Sequence, residues 1–110
     1  MGLEDLNTVD AIGLERESGA AVLTLIDSWD WRDEENHLDA LQSKLNAYFN
    51  FIESGQIGET HPQAVGRKLF IDVVTQHALS DRGKLLLKHV SDFAAERNVG
   101  LRCKQVKSLS

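Results

Sequence analysis

Cysteine and proline are almost absent from this chain: each occurs once, as Cys103 and Pro62. A lone cysteine forms no internal disulfide and supplies too few thiolates for a cysteine-based zinc site, which indicates a reducing compartment. Long apolar runs are also missing, since the apolar stretches last only a few residues and a membrane helix needs roughly 20. The first ten residues are acidic and lack an apolar core, which argues against a secretory signal and favours a cytoplasmic location.

What is present is an ordinary globular composition. Apolar residues make up 42% of the chain and charged residues 26%, as in typical folded domains. The length of 110 residues fits a single domain, residues 1–110. A domain of this size buries roughly 65% of its extended surface. The sequence therefore predicts one hydrophobic core that needs no disulfide or metal.

The charges are divided unevenly along the chain. Residues 1–60 contain thirteen acidic and three basic residues, whereas residues 61–110 contain four acidic and nine basic residues. In the simpler interpretation, the fold mixes the two halves in space. The alternative is a polarised surface that favours association with a complementary partner. The overall charge of −5 argues against nucleic acid as that partner.

The first half of the chain predicts a β-hairpin followed by a helix. Residues 8–14 alternate, residues 21–26 are almost continuously apolar, and Ser18-Gly19 between them signals a turn. The helix is predicted over residues 34–54 from a stripe with spacings of three and four. The residues of this stripe are Leu38, Leu41, Leu45, Tyr48 and Ile52.

The second half predicts two strands around a second helix. Residues 56–66 contain the only proline and indicate a loop, and residues 67–75 are apolar on both faces, as in a central strand. A helix over residues 81–98, capped by Ser80, precedes a short edge strand over residues 101–106. The predicted buried stripe of this helix consists of Leu86, Leu87, Val90, Phe93 and Ala94.

Together these elements predict a two-layer α+β domain, within the broad α/β class. Their order is β-β-α-β-α-β, with a mixed four-stranded sheet whose last two strands and intervening helix form a right-handed parallel unit. Each helix has one apolar stripe, so we expect two helices packed on one face of the sheet. The other face is then either partly solvated or covered by a second subunit.

No catalytic or metal-binding motif is recognisable. The glycines at positions 55, 58 and 66 do not have phosphate-binding spacing, and no GxSxG elbow occurs. The four histidines show neither HxH nor HxxxH spacing, so we expect no metal and no cofactor. Cys103 lies in a predicted strand, away from any helix N-terminus that would lower the pKa of its thiol, and is expected to be a small buried or edge residue.

The most distinctive segment spans residues 27–37 and contains both tryptophans. In a structural interpretation, its aspartates cap the strand end and the helix start, and its tryptophans cover the edge of the core. In a functional interpretation, parallel second and third strands bring their carboxyl ends together at one sheet edge, where α/β sheets commonly bind ligands. Carboxylate, imidazole and indole groups there would serve acid–base chemistry or hold a cationic partner. The candidate binding residues are Asp27, Asp30, Trp31, His37 and His77.

The segments VDAIGLERESGAAVLTLIDSWDW and HLDALQSKLNAYFNFIESG resemble a family of small bacterial proteins known only as a domain of unknown function. The resemblance covers residues 8–106. It is closest in the hairpin, at Trp31, at His37-Leu38 and in the first helix, and weaker after Pro62. It implies a bacterial cytoplasmic protein and transfers no catalytic residue.

From these features we expect a non-enzymatic binding protein that forms a homodimer through the open sheet face. An acidic inhibitor or immunity-type protein that masks a basic partner is a specialised form of this function. The alternative is a small enzyme or ligand-binding domain that uses Asp30, His37 and His77. A concave pocket lined by these three side chains would favour the alternative, and a flat edge would favour the interaction protein. Neither function involves nucleic acid or a membrane.

Overall fold

The structure, a computed structural model, describes residues 2–6 and 8–107. The strands are β1 (Ala11–Leu14), β2 (Ala21–Asp27), β3 (Leu69–Thr75) and β4 (Val99–Gln105). The helices are α1 (Glu34–Glu53), α2 (Gln56–Thr60) and α3 (Asp81–Ala95), with a 3-10 turn at Pro62–Ala64. The predicted fold class and element order are confirmed, with the short α2 as an addition.

The four strands form one mixed sheet in the order β1-β2-β3-β4. β1 pairs antiparallel with β2, whereas β2, β3 and β4 run parallel. In this register Asp27 lies beside Thr75, and Thr75 lies beside Gln105. The carboxyl ends of β2 and β3 therefore meet at one edge of the sheet, as the parallel arrangement predicts.

The two faces of the sheet have different surroundings. Side chains alternate between the faces along each strand, and on one face they are buried beneath α1 and α3: Leu23, Leu25, Ile71 and Val73. No helix that the structure describes covers the other face, which we call the open face. The residues of the open face are Ala11, Gly13, Val22, Thr24, Ile26, Phe70, Asp72, Val74, Gly100, Arg102 and Lys104.

Helix α1 has the bounds that its sequence signals predict, to within one residue. Asp33 is the N-cap, and its carboxylate accepts a hydrogen bond of 3.3 Å from the backbone N of Asn36. Glu34 and Glu35 in the first turn favour the positive end of the helix dipole. Gly55 follows the helix with a φ of 83°, a left-handed conformation in which glycine is preferred.

The loop predicted over residues 56–66 is partly helical, which corrects that prediction. Its first five residues form α2, and the 3-10 turn follows. Ile57 and Ala64 are only 8% and 5% exposed and join the hydrophobic core. Two buried residues in a polar stretch give too weak a periodicity to indicate a helix, so the contact with the core decides the local structure here.

Helix α3 ends at Ala95, three residues before its predicted end at residue 98. The chain then reverses through Asn98, whose φ of 60° is in the left-handed region that asparagine tolerates. β4 consequently starts at Val99, two residues earlier than predicted.

The predicted stripe of α3 is buried only in part. Leu87 and Ala94 are 6% and 0% exposed, but Phe93 is 42% exposed, which corrects its assignment to the core. Phe93 instead meets the ring of Phe49 edge-on, with 5.0 Å between centroids, and lies beneath the Arg97 guanidinium. The two remaining stripe residues are half-buried: Leu86 and Val90.

Among residues 2–6 and 8–107, three sets of ion pairs join the acidic first half of the chain to its basic second half. They are Arg82 with Glu34 and Glu35, Arg97 with Glu53, and Arg102 with Glu15. The hydrogen bond from Arg82 lowers the pKa of Glu35, and the guanidinium charge adds to this effect. The fold therefore mixes the two halves, which supports the simpler interpretation of the charge division.

Candidate functional site

A buried carboxylate–imidazole pair lies where β2 leads into α1. Nε2 of His37 is 2.6 Å from Oδ2 of Asp27, and each side chain is 1% exposed. Asp27 is the last residue of β2 and points to the helix side of the sheet, whereas His37 is the fourth residue of α1. The end of the strand and the start of the helix thus hold the pair from opposite sides.

The hydrogen bonds of His37 determine where its protons lie. Nδ1 is 2.9 Å from the backbone oxygen of Asp30, an atom that only accepts, so Nδ1 carries a proton. A second proton lies between Nε2 and the Asp27 carboxylate, and the pair has no net charge whichever atom holds it. Neither ring nitrogen has a free lone pair for a substrate or a metal ion.

Both tryptophans pack against the imidazole of His37. Trp31 stacks on it, with centroids 3.6 Å apart and an interplanar angle of 18°, and Trp29 meets it edge-on at 5.7 Å. Trp31 also packs against α3, where a Cβ added to Gly83 would lie 2.8 Å from the indole ring. Trp31 therefore links the segment after β2 to both α1 and α3.

Asp30 and His77 lie at the surface, in a shallow depression of about 350 Å3. The carboxylate of Asp30 accepts a hydrogen bond from the backbone N of Arg32 and contacts its guanidinium, each at 3.1 Å. The lining residues are Ser28, Trp29, Asp30, Arg32, Asp33, Asn36 and His77.

The five predicted binding residues therefore fall into two groups. Asp27 and Trp31 each contact His37, in or at the edge of the protein interior. Asp30 and His77 line the surface depression, whose lining does not include His37. The sheet edge gathers the residues as predicted, but Asp30, His37 and His77 do not line one pocket together.

A second buried ion pair was not singled out from the sequence. Nζ of Lys44 is 2.7 Å from Oδ1 of Asp10, and both side chains are 0% exposed. Lys44 also donates to the backbone oxygen of Gly2. The Asp10 carboxylate accepts further hydrogen bonds from the backbone N of Gly2 and of Ile26, at 2.9 and 2.8 Å. This pair ties the N-terminal segment to both β2 and α1.

Tyr48 extends the same cluster by one turn of α1. Its hydroxyl accepts a hydrogen bond of 2.9 Å from the backbone N of Asp10 and donates one of 2.6 Å to the backbone oxygen of Thr24. Burial raises the pKa of Tyr48, and the Asp10 carboxylate adds to the rise. Because these contacts hold Asp10, β1 begins at Ala11 rather than at the predicted residue 8.

The sequence does contain a signal for this second pair. Lys44 stands directly before Leu45 and four residues before Tyr48, on the apolar side of α1. A lysine at such a position is rarely buried without a partner of opposite charge. The signal indicates a buried carboxylate, but it does not indicate which of the chain's acidic residues supplies it.

A groove of about 590 Å3 borders this cluster. Apart from His61, its lining carries no group that ionises near neutral pH, and His61 itself hydrogen-bonds to Oγ1 of Thr60 at 2.9 Å. The lining residues are Thr8, Val9, Ala47, Tyr48, Asn50, Phe51, Ser54, Gln56, Thr60 and His61. Its chemistry suits an uncharged polar group.

Arg102 organises the open face. Nε and Nη2 lie 2.6 and 3.1 Å from the two carboxylate oxygens of Asp72, and Nη2 lies 3.0 Å from Glu15. The guanidinium is also 4.1 Å from the ring centroid of Phe70. Hydrogen bonds from Ser18 and Arg102 lower the pKa of Glu15, and those to Asp72 and Glu15 raise the pKa of Arg102. This network joins β4, β3 and the turn after β1.

Cys103 is exposed on β4, which is an edge strand of the sheet. Of the two placements expected from the sequence, buried or at an edge, the structure has the second. Partial burial of the thiol raises the pKa of Cys103, and the charge of Asp27 contributes. A raised pKa lowers the fraction of thiolate, which is the nucleophilic form of cysteine.

The described residues show neither a metal centre nor a membrane-spanning helix. In residues 2–6 and 8–107, no three histidine, cysteine, aspartate or glutamate side chains are grouped so that they could hold a metal ion. Over the same residues, no helix combines the length and the apolar character needed to cross a membrane.

A family model described as "Family of unknown function (DUF6572)" matches residues 1–107. The chain belongs to this family. The match confirms the resemblance to a family of unknown function that the sequence shows over residues 8–106. No match is found among curated proteins or among solved structures. The function of this family member must therefore be inferred from its own side chains.

Proposed function

We propose that this member of the family is a non-enzymatic interaction protein of the bacterial cytoplasm, and that it works as a homodimer through its open face. The observation that carries the proposal is the composition of that face. It lies opposite both long helices and carries three half-buried apolar side chains, Val22, Ile26 and Phe70, beside Val74, which is 8% exposed.

These apolar side chains form two cross-strand pairs, and the polar pair Thr24 and Asp72 lies between them. The register places Val22 beside Phe70 and Ile26 beside Val74. Apolar side chains grouped on a surface commonly mark an interface. Two copies related by a two-fold axis, the commonest arrangement, would cover both surfaces by packing sheet against sheet.

The surroundings of His37 favour binding over catalysis. Both ring nitrogens are hydrogen-bonded, the ring is stacked beneath Trp31, and the side chain is 1% exposed. General acid–base catalysis requires a ring nitrogen within hydrogen-bond reach of the substrate. An enzyme that used Asp30, His37 and His77 would have to break this packing in every cycle.

We also propose a basic partner for the surface depression. Asp30 and Asp33 line the depression together with Trp29, His77 and Arg32, whose guanidinium pairs with the Asp30 carboxylate. Carboxylates together with an aromatic ring suit a lysine or arginine side chain. Asp27, Trp31 and His37 would hold this surface in position from beneath. An acidic inhibitor or immunity-type protein would mask a basic partner in this way.

Light scattering at micromolar concentration tests the dimer. We expect a mass of twice the 12.3 kDa of one chain. Ile26→Glu places a charge at the centre of the open face and should give the single-chain mass. Leu85→Glu is the matched control, because Leu85 is 55% exposed on α3 and its variant should remain dimeric. A wild-type mass of 12.3 kDa that does not change with dilution would contradict the dimer.

An NMR titration with a lysine-rich peptide tests the basic partner. We expect the largest shifts at Asp30 and His77, and weaker binding for Asp30→Asn. Glu59→Gln removes an exposed carboxylate from α2 and should bind as wild type does. Shifts spread evenly over the acidic surface, or equal binding by both variants, would refute this partner.

A further inference from the structure

The outer edge of β4 carries unused backbone hydrogen-bonding groups. β4 is the last strand of the sheet, and the backbone N of Val106 donates to the oxygen of Thr75 at 2.8 Å. Backbone groups of alternate residues point to opposite sides of a strand, so those of Arg102 and Lys104 also point to β3. The residues whose N–H and C=O groups point outward are Leu101, Cys103 and Gln105. No residue that the structure describes pairs with these outward groups.

We propose that this edge binds an extended acidic segment of another protein as a fifth strand of the sheet. In strand addition, main-chain hydrogen bonds supply affinity and the alternating side chains supply specificity. Each outward residue of β4 offers one donor and one acceptor. The proposal goes beyond the proposed dimer, because the dimer uses a face of the sheet and this site uses its edge.

The side chains beside the edge select the charge of the occupant. Arg102 and Lys104 project on the open face, and Lys107 follows the strand. Lys104 and Lys107 are exposed, and neither forms an ion pair with any residue in the described part of the chain. Carboxylates of an added strand would lie beside these ammonium groups. Opposite charges on neighbouring strands stabilise a sheet.

On the side of the sheet that faces the helices, the residues of β4 favour apolar side chains in the bound segment. Leu101 is half-buried there, and Cys103 is the next residue on the same side. Side chains of an added strand alternate between the two faces. The preferred occupant is therefore a segment in which acidic residues alternate with apolar ones.

A second copy of this chain fits the edge less well. Antiparallel pairing of two β4 strands about Cys103 would place Arg102 of one copy opposite Lys104 of the other, and like charges in such pairs are destabilising. The other edge strand, β1, has only four residues. Pairing β1 of one copy with β4 of the next would also generate an open fibre rather than a closed assembly.

Residue-resolved hydrogen exchange of the whole protein tests the proposal. The probe is a short peptide in which glutamate and valine alternate, and its control replaces each glutamate with lysine. In the free protein the amides of Arg102 and Lys104 should exchange slowly, and the outward amides of Leu101, Cys103 and Gln105 quickly. The glutamate peptide should slow the outward amides, and the lysine peptide should leave them unchanged.

A charge reversal on the edge provides the matched comparison. Lys104→Glu should weaken the affinity for the glutamate peptide about tenfold, as expected when an attractive cross-strand charge pair becomes repulsive. Lys88→Glu reverses an exposed charge on α3 and should change the affinity little. Equal binding of the two peptides, or equal effects of the two variants, would overturn the proposal.

Two further measurements separate this site from its alternatives. Slow exchange of the outward amides without peptide, growing with protein concentration, would assign the edge to a second copy and overturn the proposal. Ile26→Glu, which is designed to break the face-to-face dimer, should leave the affinity for the glutamate peptide unchanged. Peptide binding that vanishes with this variant would show that the edge does not act as an independent site.

Discussion

Two buried ion pairs in the described part of the chain connect segments over different ranges of sequence. Asp27 and His37 are ten positions apart and join the end of β2 to the start of α1. Asp10 and Lys44 are 34 positions apart and connect the N-terminal segment, the sheet and the middle of α1. One pair secures a single connection, and the other secures the packing of three segments.

The basic partners also differ chemically. The ordinary pKa of an imidazole lies near neutrality, whereas the ordinary pKa of a lysine ammonium lies well above it, so removing the proton of a lysine costs more free energy. Removal of Asp27 would leave a group that can become neutral. Removal of Asp10 would leave a buried ammonium without its counter-charge. The comparison predicts that substitutions in the Asp10–Lys44 pair lower the free energy of unfolding more than substitutions in the Asp27–His37 pair.

Asp10→Ala should therefore have the largest effect. The variant removes the counter-charge of Lys44 and the acceptor for the backbone N of Ile26. We expect a loss of about 3–5 kcal/mol in the free energy of unfolding, measured by urea denaturation. Replacing both members, as Asp10→Asn with Lys44→Met, should restore part of this loss because no charge then remains buried. A single-variant loss below about 1 kcal/mol would show that the pair contributes little.

Asp27→Ala should cost less, about 1–3 kcal/mol, since His37 can become neutral and the variant then removes two hydrogen bonds, to His37 and from the backbone N of Trp29. Nδ1 of His37 should remain protonated, because it still faces the backbone oxygen of Asp30. Nitrogen-15 NMR of the ring measures this directly. A greater loss of stability for Asp27→Ala than for Asp10→Ala would reverse the comparison.

The sole tyrosine reports on the Asp10–Lys44 cluster at high pH. Burial raises the pKa of Tyr48 in the folded state, whereas tyrosine in the unfolded chain loses its proton near pH 10. Above that pH the unfolded state therefore binds fewer protons than the folded state, so stability falls as pH rises. We expect a slope of about 1.4 kcal/mol per pH unit from this group.

Ultraviolet absorbance of tyrosinate is the measurement, since no other tyrosine is present. The signal should appear only as the protein unfolds. Tyr48→Phe provides the control, because its stability curve should lack this contribution. Tyrosinate formation near pH 10 in a still-folded protein would contradict the burial of the hydroxyl.

Gly83→Ala tests the cover over the Asp27–His37 pair and should have the smallest effect. The new methyl group would lie 2.8 Å from the Trp31 ring and force it to move, at a cost of about 1–3 kcal/mol. The higher helix propensity of alanine offsets about 1 kcal/mol, which leaves a net loss of about 1 kcal/mol.

Near-ultraviolet circular dichroism should show the displacement of Trp31. Gly13→Ala is the matched control, since a Cβ there meets nothing within 4 Å and should leave the tryptophan signal unchanged. Identical spectra for wild type and Gly83→Ala would mean that Trp31 does not depend on this close approach.

Elements with strong local signals were predicted well. The stripe of α1, its aspartate cap and the glycine after it give bounds that match to within one residue. α2 was missed because one buried isoleucine, Ile57, gives no periodicity. α3 was predicted too long because the left-handed turn at Asn98, rather than the end of an apolar stripe, places the start of β4.

The candidate site was predicted only in part, because local sequence signals place strands and helices but do not fix the direction of each side chain. Parallel strands imply that the residues after β2 and β3 lie together at the carboxyl ends of these strands, and the structure has this arrangement. The direction in which each side chain points was not predictable. Asp27 and His37 turn inward and satisfy each other, whereas Asp30 and His77 remain at the surface.

The sequence by itself determined the element order, the mixed sheet and the packing of both long helices on one face, because periodicity, caps and turns act over a few residues. Only the tertiary structure decided that Asp10 and Lys44 form a second buried ion pair and that, among the described residues, the outer edge of β4 has unpaired backbone groups. These features depend on contacts between segments distant along the chain, whose geometry local sequence signals do not contain.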